Sequence, residues 1–148
     1  SKDDKSAYRR ICPGDLGYNT MRMWQGVSAV SGLEGIVSPA YTICTPQTGV
    51  NVAFIEKLLK LPSVVNLLWR HSQGLVDDTL SLKYHHFAKI AVTIPDEAEQ
   101  RAIAAILTTA DDEVLALEAK TAALERQKKG LMQKLLTGKV RAKTARKS

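Results

Sequence analysis

The chain has 148 residues, of which 45% are hydrophobic and only 5% aromatic, and its formal net charge at pH 7 is +6. This length allows one hydrophobic core, or one core with an extension. No apolar run is long enough for a transmembrane helix and no signal-peptide pattern is present, so we expect a soluble cytoplasmic protein with no membrane partner. The two cysteines, Cys12 and Cys44, match no metal-binding spacing. In the cytoplasm we expect them to be free thiols.

The front of the chain carries the pattern of short strands. Leu16–Arg22 is predicted as a strand. The β-rich runs Val27–Val30 and Ile36–Cys44 are predicted to pair as a hairpin, because the link Ser31–Gly35 contains glycines where a positive φ is wanted. Pro39 lies inside the second run and indicates an edge strand or a bulge there.

Helical spacing replaces the strand pattern after residue 50. Asn51–Lys60 and Val64–His71 are predicted as two short helices, separated by Pro62. Gln73–Lys83 is predicted as a polar loop, and Phe87–Ile94 as a last short strand. Together with the strands at the front, these elements predict a small mixed α/β domain over residues 1–94.

Residues 95–138 have the pattern of one long amphipathic helix. Asp96 can cap its start, with Glu99 completing a capping box, and Gly138 suits the position just after its end. At ~1.5 Å per residue, such a helix is roughly 60 Å long. Thr108–Asp112 is the one place where a second helix can begin and split it.

Apolar residues recur along this helix every seven residues, as in the seam of a coiled coil. The seam residues are Ile103, Ala110, Leu117, Leu124 and Leu131 at the d positions, and Leu107, Val114, Thr121, Lys128 and Leu135 at the a positions. A narrow seam of this length needs a second helix to cover it, and the chain offers no other helix as long. We therefore expect a homodimer through this helix. The alternative is that the helix packs on its own domain.

The positive charge is concentrated at the end of the chain. Residues 1–95 carry 10 basic and 7 acidic side chains, residues 96–138 carry 6 and 8, and the last ten residues carry 5 and none. Residues 139–148 are therefore expected to form a basic, disordered tail. Such a tail is either simply solvated or in contact with nucleic acid.

Patterns typical of enzymes are missing. There is no phosphate-binding glycine loop, nucleotide fingerprint or serine elbow. His71, His85 and His86 lack metal-ligand companions, and the adjacent pair, if it lies in a strand, points to opposite faces. We predict no catalytic residue and no metal site. A small hydrolase that uses Asp77, Asp78 or the histidines is the least favoured alternative.

Two groups of residues are candidates for contacts with double-stranded DNA. In the first, Arg22 can read guanine and Gln25 adenine by paired hydrogen bonds in the major groove, while Trp24 can pack or stack. The alternative for this group is a structural tryptophan beside a surface arginine. The second group lies further along, in predicted loops, and consists of Gln73, Lys83, His85 and His86. Lys83 is the expected phosphate contact.

Four stretches together resemble the specificity (S) subunits of type I restriction–modification systems. They are GDLGYNTMRMWQG, EGIVSPAY, SQGLVDDTLSLKYHHFAKIAVTIP and EQRAIAAIL…KKGLMQKLLTGKVR. In this order they are similar to the back half of a target-recognition domain and to the helix that follows it. The similarity extends from Gly14 to Arg141 and is most specific at the two ends of the long helix.

The resemblance implies a non-catalytic subunit of an enzyme complex. S subunits read a split DNA site, and their helices pair into an antiparallel coiled coil that spaces the half-sites and docks methyltransferase (M) subunits. A restriction (R) subunit completes the assembly, and S-adenosylmethionine, ATP and magnesium would belong to the partner subunits. An S subunit has two recognition domains and two long coiled-coil helices, whereas this chain has one such helix and a shortened domain.

The sequence thus predicts an α+β protein with three parts. Residues 1–94 form a partial target-recognition domain, residues 95–138 a coiled-coil helix and residues 139–148 the tail. The favoured function is a DNA-recognition half-subunit that dimerises and docks the M subunit. The second possibility is a truncated S-subunit paralogue that pairs or docks without reading DNA sequence.

Overall fold

The computed structural model describes residues 7–76 and 79–143. Its elements in chain order are β1 (Arg9–Ile11), β2 (Leu16–Asn19), a 3-10 turn (Met23–Gln25), β3 (Ser28–Val30), β4 (Gly35–Val37), β5 (Tyr41–Cys44), α1 (Val52–Leu58), α2 (Pro62–His71), α3 (Tyr84–Phe87) and α4 (Glu97–Leu136). Small antiparallel sheets followed by a long C-terminal helix confirm the predicted α+β class. Asp77 and Asp78 of the hydrolase hypothesis, and residues 144–148 of the predicted tail, lie outside the described residues.

The strands form two antiparallel sheets, and the predicted hairpin between β3 and β4 is wrong. β3 pairs with β2 and β4 pairs with β1, while β5 lies on the other side of β2. The β2–β3 ladder is extended by Gly14 N donating to Ser31 O at 2.8 Å and Ser31 N donating to Asp15 O at 2.9 Å. The glycine-containing link therefore carries the chain from one sheet to the other instead of closing a turn between neighbours.

The first predicted strand is shorter than expected because an asparagine ends it. β2 stops at Asn19, whose Oδ1 accepts a hydrogen bond from Met21 N at 2.9 Å. Asn19 O also accepts from Arg22 N at 3.0 Å. An asparagine side chain that bonds the backbone two residues on makes a turn in place of a ladder. The run around Pro39 is likewise split into β4 and β5, with Tyr41 N donating to Ser38 O at 3.0 Å in the turn between them.

Both predicted short helices are present with slightly different ends. α1 is capped by Asn51, whose side chain accepts from Phe54 N at 2.9 Å. α2 begins at Pro62, which occupies the first turn, where a missing N–H costs nothing. The sequence analysis placed Pro62 between the two helices, whereas it is the first residue of the second helix.

The segment between α2 and α4 differs most from the prediction. The expected strand at Phe87–Ile94 is wrong, because Tyr84–Phe87 is a helical turn and no strand follows it up to residue 94. Local bonds hold this turn, with Ala88 N donating to Tyr84 O at 2.8 Å. The expected polar loop before it contains the buried Leu80 and Leu82, which complete the core.

α4 is a single uninterrupted helix of 40 residues, so Thr108–Asp112 does not split it. Asp96 Oδ1 accepts from Glu99 N at 2.9 Å, which is the predicted cap. At the other end Gly138 has a φ of +74° and donates to Leu135 O at 3.2 Å. A glycine in this left-handed conformation just past the last turn is the usual way to end a helix.

One hydrophobic cluster forms the core of the front part. It joins β2 and the 3-10 turn to the helices through Leu16, Tyr18, Met23, Leu59, Val64, Leu68 and Leu82. The described chain divides into two compact units, one up to Ile106 and one from Leu107 onward. Among the described residues, no helix is both long and apolar enough to cross a membrane.

Candidate nucleic-acid and helix-pairing surfaces

The second group of predicted DNA contacts comes together in one cavity. Gln73, Lys83, His85 and His86 line a cavity of about 350 Å³, together with Gly74 and Ser81. These residues are up to 13 positions apart along the chain, and the sequence placed them only in neighbouring loops. We call this the histidine cavity.

Two local structures build the histidine cavity. Gln73 and Ser81 form an antiparallel bridge, each N–H donating to the other's carbonyl at 2.9 Å. Gly74 leaves no room for a side chain next to this bridge, because a Cβ atom there would lie 2.7 Å from Thr79 O. The bridge brings the two ends of the segment together and so places Gln73 next to the start of α3.

α3 brings the two histidines to the same side. The expectation that they point to opposite faces assumed a strand; in the helical turn the ring centroids of His85 and His86 are 4.0 Å apart. Partial desolvation lowers the pKa of His86, and the charges of His85, Lys89, His71 and Lys83 lower it further. Of the described residues that line the cavity none is acidic, so the cavity favours an anionic ligand.

Across residues 7–76 and 79–143 no three or more histidine, cysteine or acidic side chains are placed so that they could hold a metal ion. His71, at the end of α2, uses its Nδ1 to donate to Leu67 O at 2.8 Å. The chemistry of the cavity is therefore that of hydrogen-bond donors and titratable cations.

The first group of predicted contacts lies on the 3-10 turn and does not join the histidine cavity. Trp24 and Gln25 line a groove of about 530 Å³ against α2, whereas the exposed Arg22 precedes the turn and is not part of the groove. The Trp24 indole N–H donates to Met21 O at 3.1 Å, so its donor is already satisfied. Trp24 therefore offers a ring surface and no hydrogen bond to a ligand.

Gly26 sets the position of this turn. It has a φ of +77°, and an added Cβ atom would lie 2.9 Å from Leu59 O and 3.2 Å from Val65 Cγ2. Only glycine combines this conformation with such a close approach to the corner between α1 and α2. Lys60 reinforces the corner by donating to Ser28 O at 2.8 Å.

The sequence prediction missed the opposite wall of this groove. It is formed by Lys60, two residues before α2, and by one face of α2, namely Pro62, Val65, Asn66 and Trp69. Trp69 is 49% exposed, which is unusual for so large an apolar side chain. The spacing of three, four and seven residues along α2 was the signal that these side chains share a face.

The predicted seam of α4 is exposed in the single chain. Beyond Ile106 its large apolar members lie between 41% exposed, at Leu107, and 56% exposed, at Leu117. Ile103, in the first unit, is half-buried beside the buried Ala104. Thr121 Oγ1 donates to Leu117 O at 2.9 Å, so its hydroxyl is satisfied within the helix. Apart from Thr121 and Lys128, the seam beyond Ile106 presents a row of apolar side chains that are exposed in the single chain.

The fold and these surfaces define a class of protein, a small α+β domain joined to a long helix with an open heptad seam. No family model matches the chain. A function therefore has to be argued from the surfaces themselves and from the sequence resemblance.

Proposed function

We propose that this chain is a non-catalytic DNA-recognition subunit of a type I restriction–modification complex. In this proposal the residues up to 94 contact a DNA half-site, and α4 pairs with a second helix and docks methyltransferase subunits. The restriction subunit joins the same complex, and S-adenosylmethionine, ATP and magnesium are bound by the partner subunits. The site of action is the cytoplasm, where the DNA is.

The observation that carries this proposal is the open seam of α4. A coiled-coil helix buries its a and d residues against a partner, and seven of the ten seam positions here are apolar residues or alanine that lie beyond Ile106. No other helix within the described residues is as long. The flanks are charged, with Asp111, Glu118 and Glu125 on one side and Glu113, Lys120 and Lys134 on the other, as is typical of the edges of such a seam. A second copy of the chain supplies a helix of matching length.

The DNA contacts are assigned to two places on the front unit. The histidine cavity offers Lys83 and two histidines for a phosphate and Gln73 as a hydrogen-bonding side chain. Arg22 and Gln25 are exposed on and beside the 3-10 turn and can reach base edges. Trp24 contributes contact area only, since its N–H is satisfied internally.

A salt-dependent titration with DNA tests the recognition function. The probe is a pool of duplexes with random sequence, and the proteins are the wild type, Lys83→Ala and Arg22→Ala. Loss of one phosphate contact at Lys83 should lower the slope of log affinity against log salt by about 0.9. Arg126→Ala on α4 removes the same charge from a residue that belongs to neither candidate site and should leave the slope unchanged.

The main competitor is an S-subunit paralogue that pairs or docks but does not read sequence. The internal hydrogen bond of Trp24 fits this alternative, because it gives the tryptophan a structural role that needs no DNA. Selection of bound duplexes from the random pool separates the two functions. An enriched half-site sequence supports recognition, whereas self-association without enrichment at any salt concentration supports the paralogue.

A further inference from the structure

A third cavity lies beside β5, within the first unit. Its volume is about 590 Å³, and it shares no lining residue with the histidine cavity or the groove against α2. The side chains that matter for its chemistry are Arg9, Thr42, Thr45, Gln47, Tyr84 and Phe87. We call it the Arg9 cavity.

A buried hydroxyl without a partner lies behind the wall of the Arg9 cavity. Tyr18 is fully buried, and its hydroxyl makes no hydrogen bond within the described part of the chain. Thr42 is close enough to lower the pKa of this hydroxyl as a hydrogen-bonding side chain, but the two groups do not meet hydrogen-bond geometry. Tyr84 and Arg9 interact with the hydroxyl electrostatically, and the Tyr18 ring centroid is 5.0 Å from that of Phe87. All four neighbours line the cavity. Buried polar groups without a partner are rare in proteins, and each calls for an explanation such as a missing water or ligand.

The lining of the Arg9 cavity favours a small anion with a flat ring. Arg9 is the one charged side chain among the described lining residues, so the charge that the cavity complements is negative. Tyr84 and Phe87 offer aromatic surfaces, and Thr42 and Gln47 offer hydrogen bonds, whereas the Thr45 hydroxyl already donates to Asp15. Its volume is in the range of small-molecule sites.

Asp15, an acidic residue that contacts the lining, does not reverse this preference. Asp15 lies behind Thr45, and its two oxygens accept from Cys12 N and Thr45 Oγ1, each at 2.8 Å. Burial raises the pKa of the Cys44 thiol, and Asp15 raises it further, which keeps that lining residue uncharged. Arg9 therefore remains the dominant charge at the cavity.

We propose that the Arg9 cavity binds a small anion that carries a flat polar ring. Arg9 pairs with the anionic group, Tyr84 and Phe87 pack against the ring, and the Tyr18 hydroxyl bonds the ligand or a water that enters with it. Mononucleotides and aromatic carboxylates share this chemistry. This site is independent of the proposed DNA recognition, which uses other residues.

Calorimetric titration of the full chain tests the site with two sets of probes. One set is the four deoxynucleoside 5′-monophosphates and the other is 4-hydroxybenzoate. Arg9→Ala should weaken binding about tenfold, since a charge-assisted contact is lost. Arg10→Ala is the matched control, because Arg10 is the adjacent residue and pairs with Glu34 outside the cavity. If only one of the two probe sets binds, the result shows whether the ligand is a nucleotide or an aromatic carboxylate.

Two results would overturn the proposal. One is that neither probe set binds at millimolar concentration. The other is that Arg9→Ala and Arg10→Ala bind equally well, which would place the ligand elsewhere. Tyr18→Phe gives an independent readout, because it removes the unpartnered hydroxyl and should fold at least as well as the wild type while binding several-fold more weakly. Unchanged affinity in a folded Tyr18→Phe variant would show that the Tyr18 hydroxyl does not bond the ligand or its water.

Discussion

The side chain of Gln100 accepts a hydrogen bond from the backbone N–H of Asn51, with 2.9 Å between Oε1 and N. The Gln100 amide nitrogen donates to Gly49 O at 3.2 Å and to Pro95 O at 2.8 Å. Gln100 is 1% exposed, so these three bonds form away from water. They connect the first turns of α4 to the loop that leads into α1, and they explain why a glutamine stands in the middle of a buried contact.

Replacement of Gln100 by alanine should destabilise the first unit. The change removes three bonds and leaves buried backbone groups without partners, which we expect to lower the free energy of unfolding by roughly 2–4 kcal/mol. Urea unfolding followed by circular dichroism measures the loss. Arg101→Ala is the control, because Arg101 pairs with Glu97 on the surface and such a pair is worth at most about 1 kcal/mol. Equal losses for the two variants would contradict the role given to Gln100.

A comparison of two glycines tests the corner between the 3-10 turn and the helices. Gly26→Ala should lower the free energy of unfolding by about 2 kcal/mol or more, because alanine disfavours the left-handed conformation and its Cβ would approach Leu59 O. Gly32→Ala meets no atom within 4 Å, and its φ is not positive. This control should change stability by less than about 1 kcal/mol. Thermal unfolding of both variants gives the answer, and a Gly26→Ala protein as stable as the wild type would show that the turn can move.

The seam of α4 predicts self-association that one charge disrupts. Leu117→Asp would bury two carboxylates without partners in a symmetric pair, which costs several kcal/mol. Light scattering of the wild type should give twice the chain mass of 16.2 kDa, and Leu117→Asp should give the single-chain mass. Leu115→Asp is the matched control, since Leu115 is 62% exposed on the same helix but lies off the seam. A wild-type protein that is monomeric at every concentration would rule out the proposed homodimer.

The buried Tyr18 predicts a loss of stability at alkaline pH. Burial is the main cause that raises its pKa from 10.0 to about 12. The folded state therefore holds this proton more tightly than the unfolded state does, and the stability linked to it is complete below pH 10 and lost as the pH rises toward 12. The urea midpoint of Tyr18→Phe should fall less steeply than that of the wild type over this interval. Tyr8→Phe, which changes an exposed tyrosine, should behave like the wild type.

The histidine cavity predicts that DNA binds more tightly as the pH falls. Desolvation and neighbouring cations lower the pKa of His86, so this side chain is mostly neutral at pH 7.5 and gains its charge below its usual range. Protonation of His86 adds a cation next to Lys83, and affinity for duplex DNA should rise between pH 7.5 and pH 5.5. His86→Gln should flatten this rise. An equal rise in both proteins would place the titrating contact elsewhere.

Local patterns were enough to predict α1, α2 and α4, although the short helix α3 was missed. The heptad spacing, the Asp96 cap and Gly138 all act within a few residues, and α4 has nearly the predicted bounds. The Asn51 cap and the apolar spacing after it likewise define α1. In each case the stabilising bonds join residues three or four positions apart, so the sequence alone contains the information.

Only the tertiary structure decided which strands pair and which polar residues meet. Ser31–Gly35 has the composition of a hairpin turn, but β3 and β4 each pair with a strand earlier in the chain. The two histidines share a side because residues 84–87 form a helical turn, and Gln73 reaches them through its bridge to Ser81. Arg9 and Tyr84 line one cavity although they are 75 positions apart in the sequence. Strand pairing and packing join residues that are distant in sequence, so the periodicity of any single segment cannot specify them.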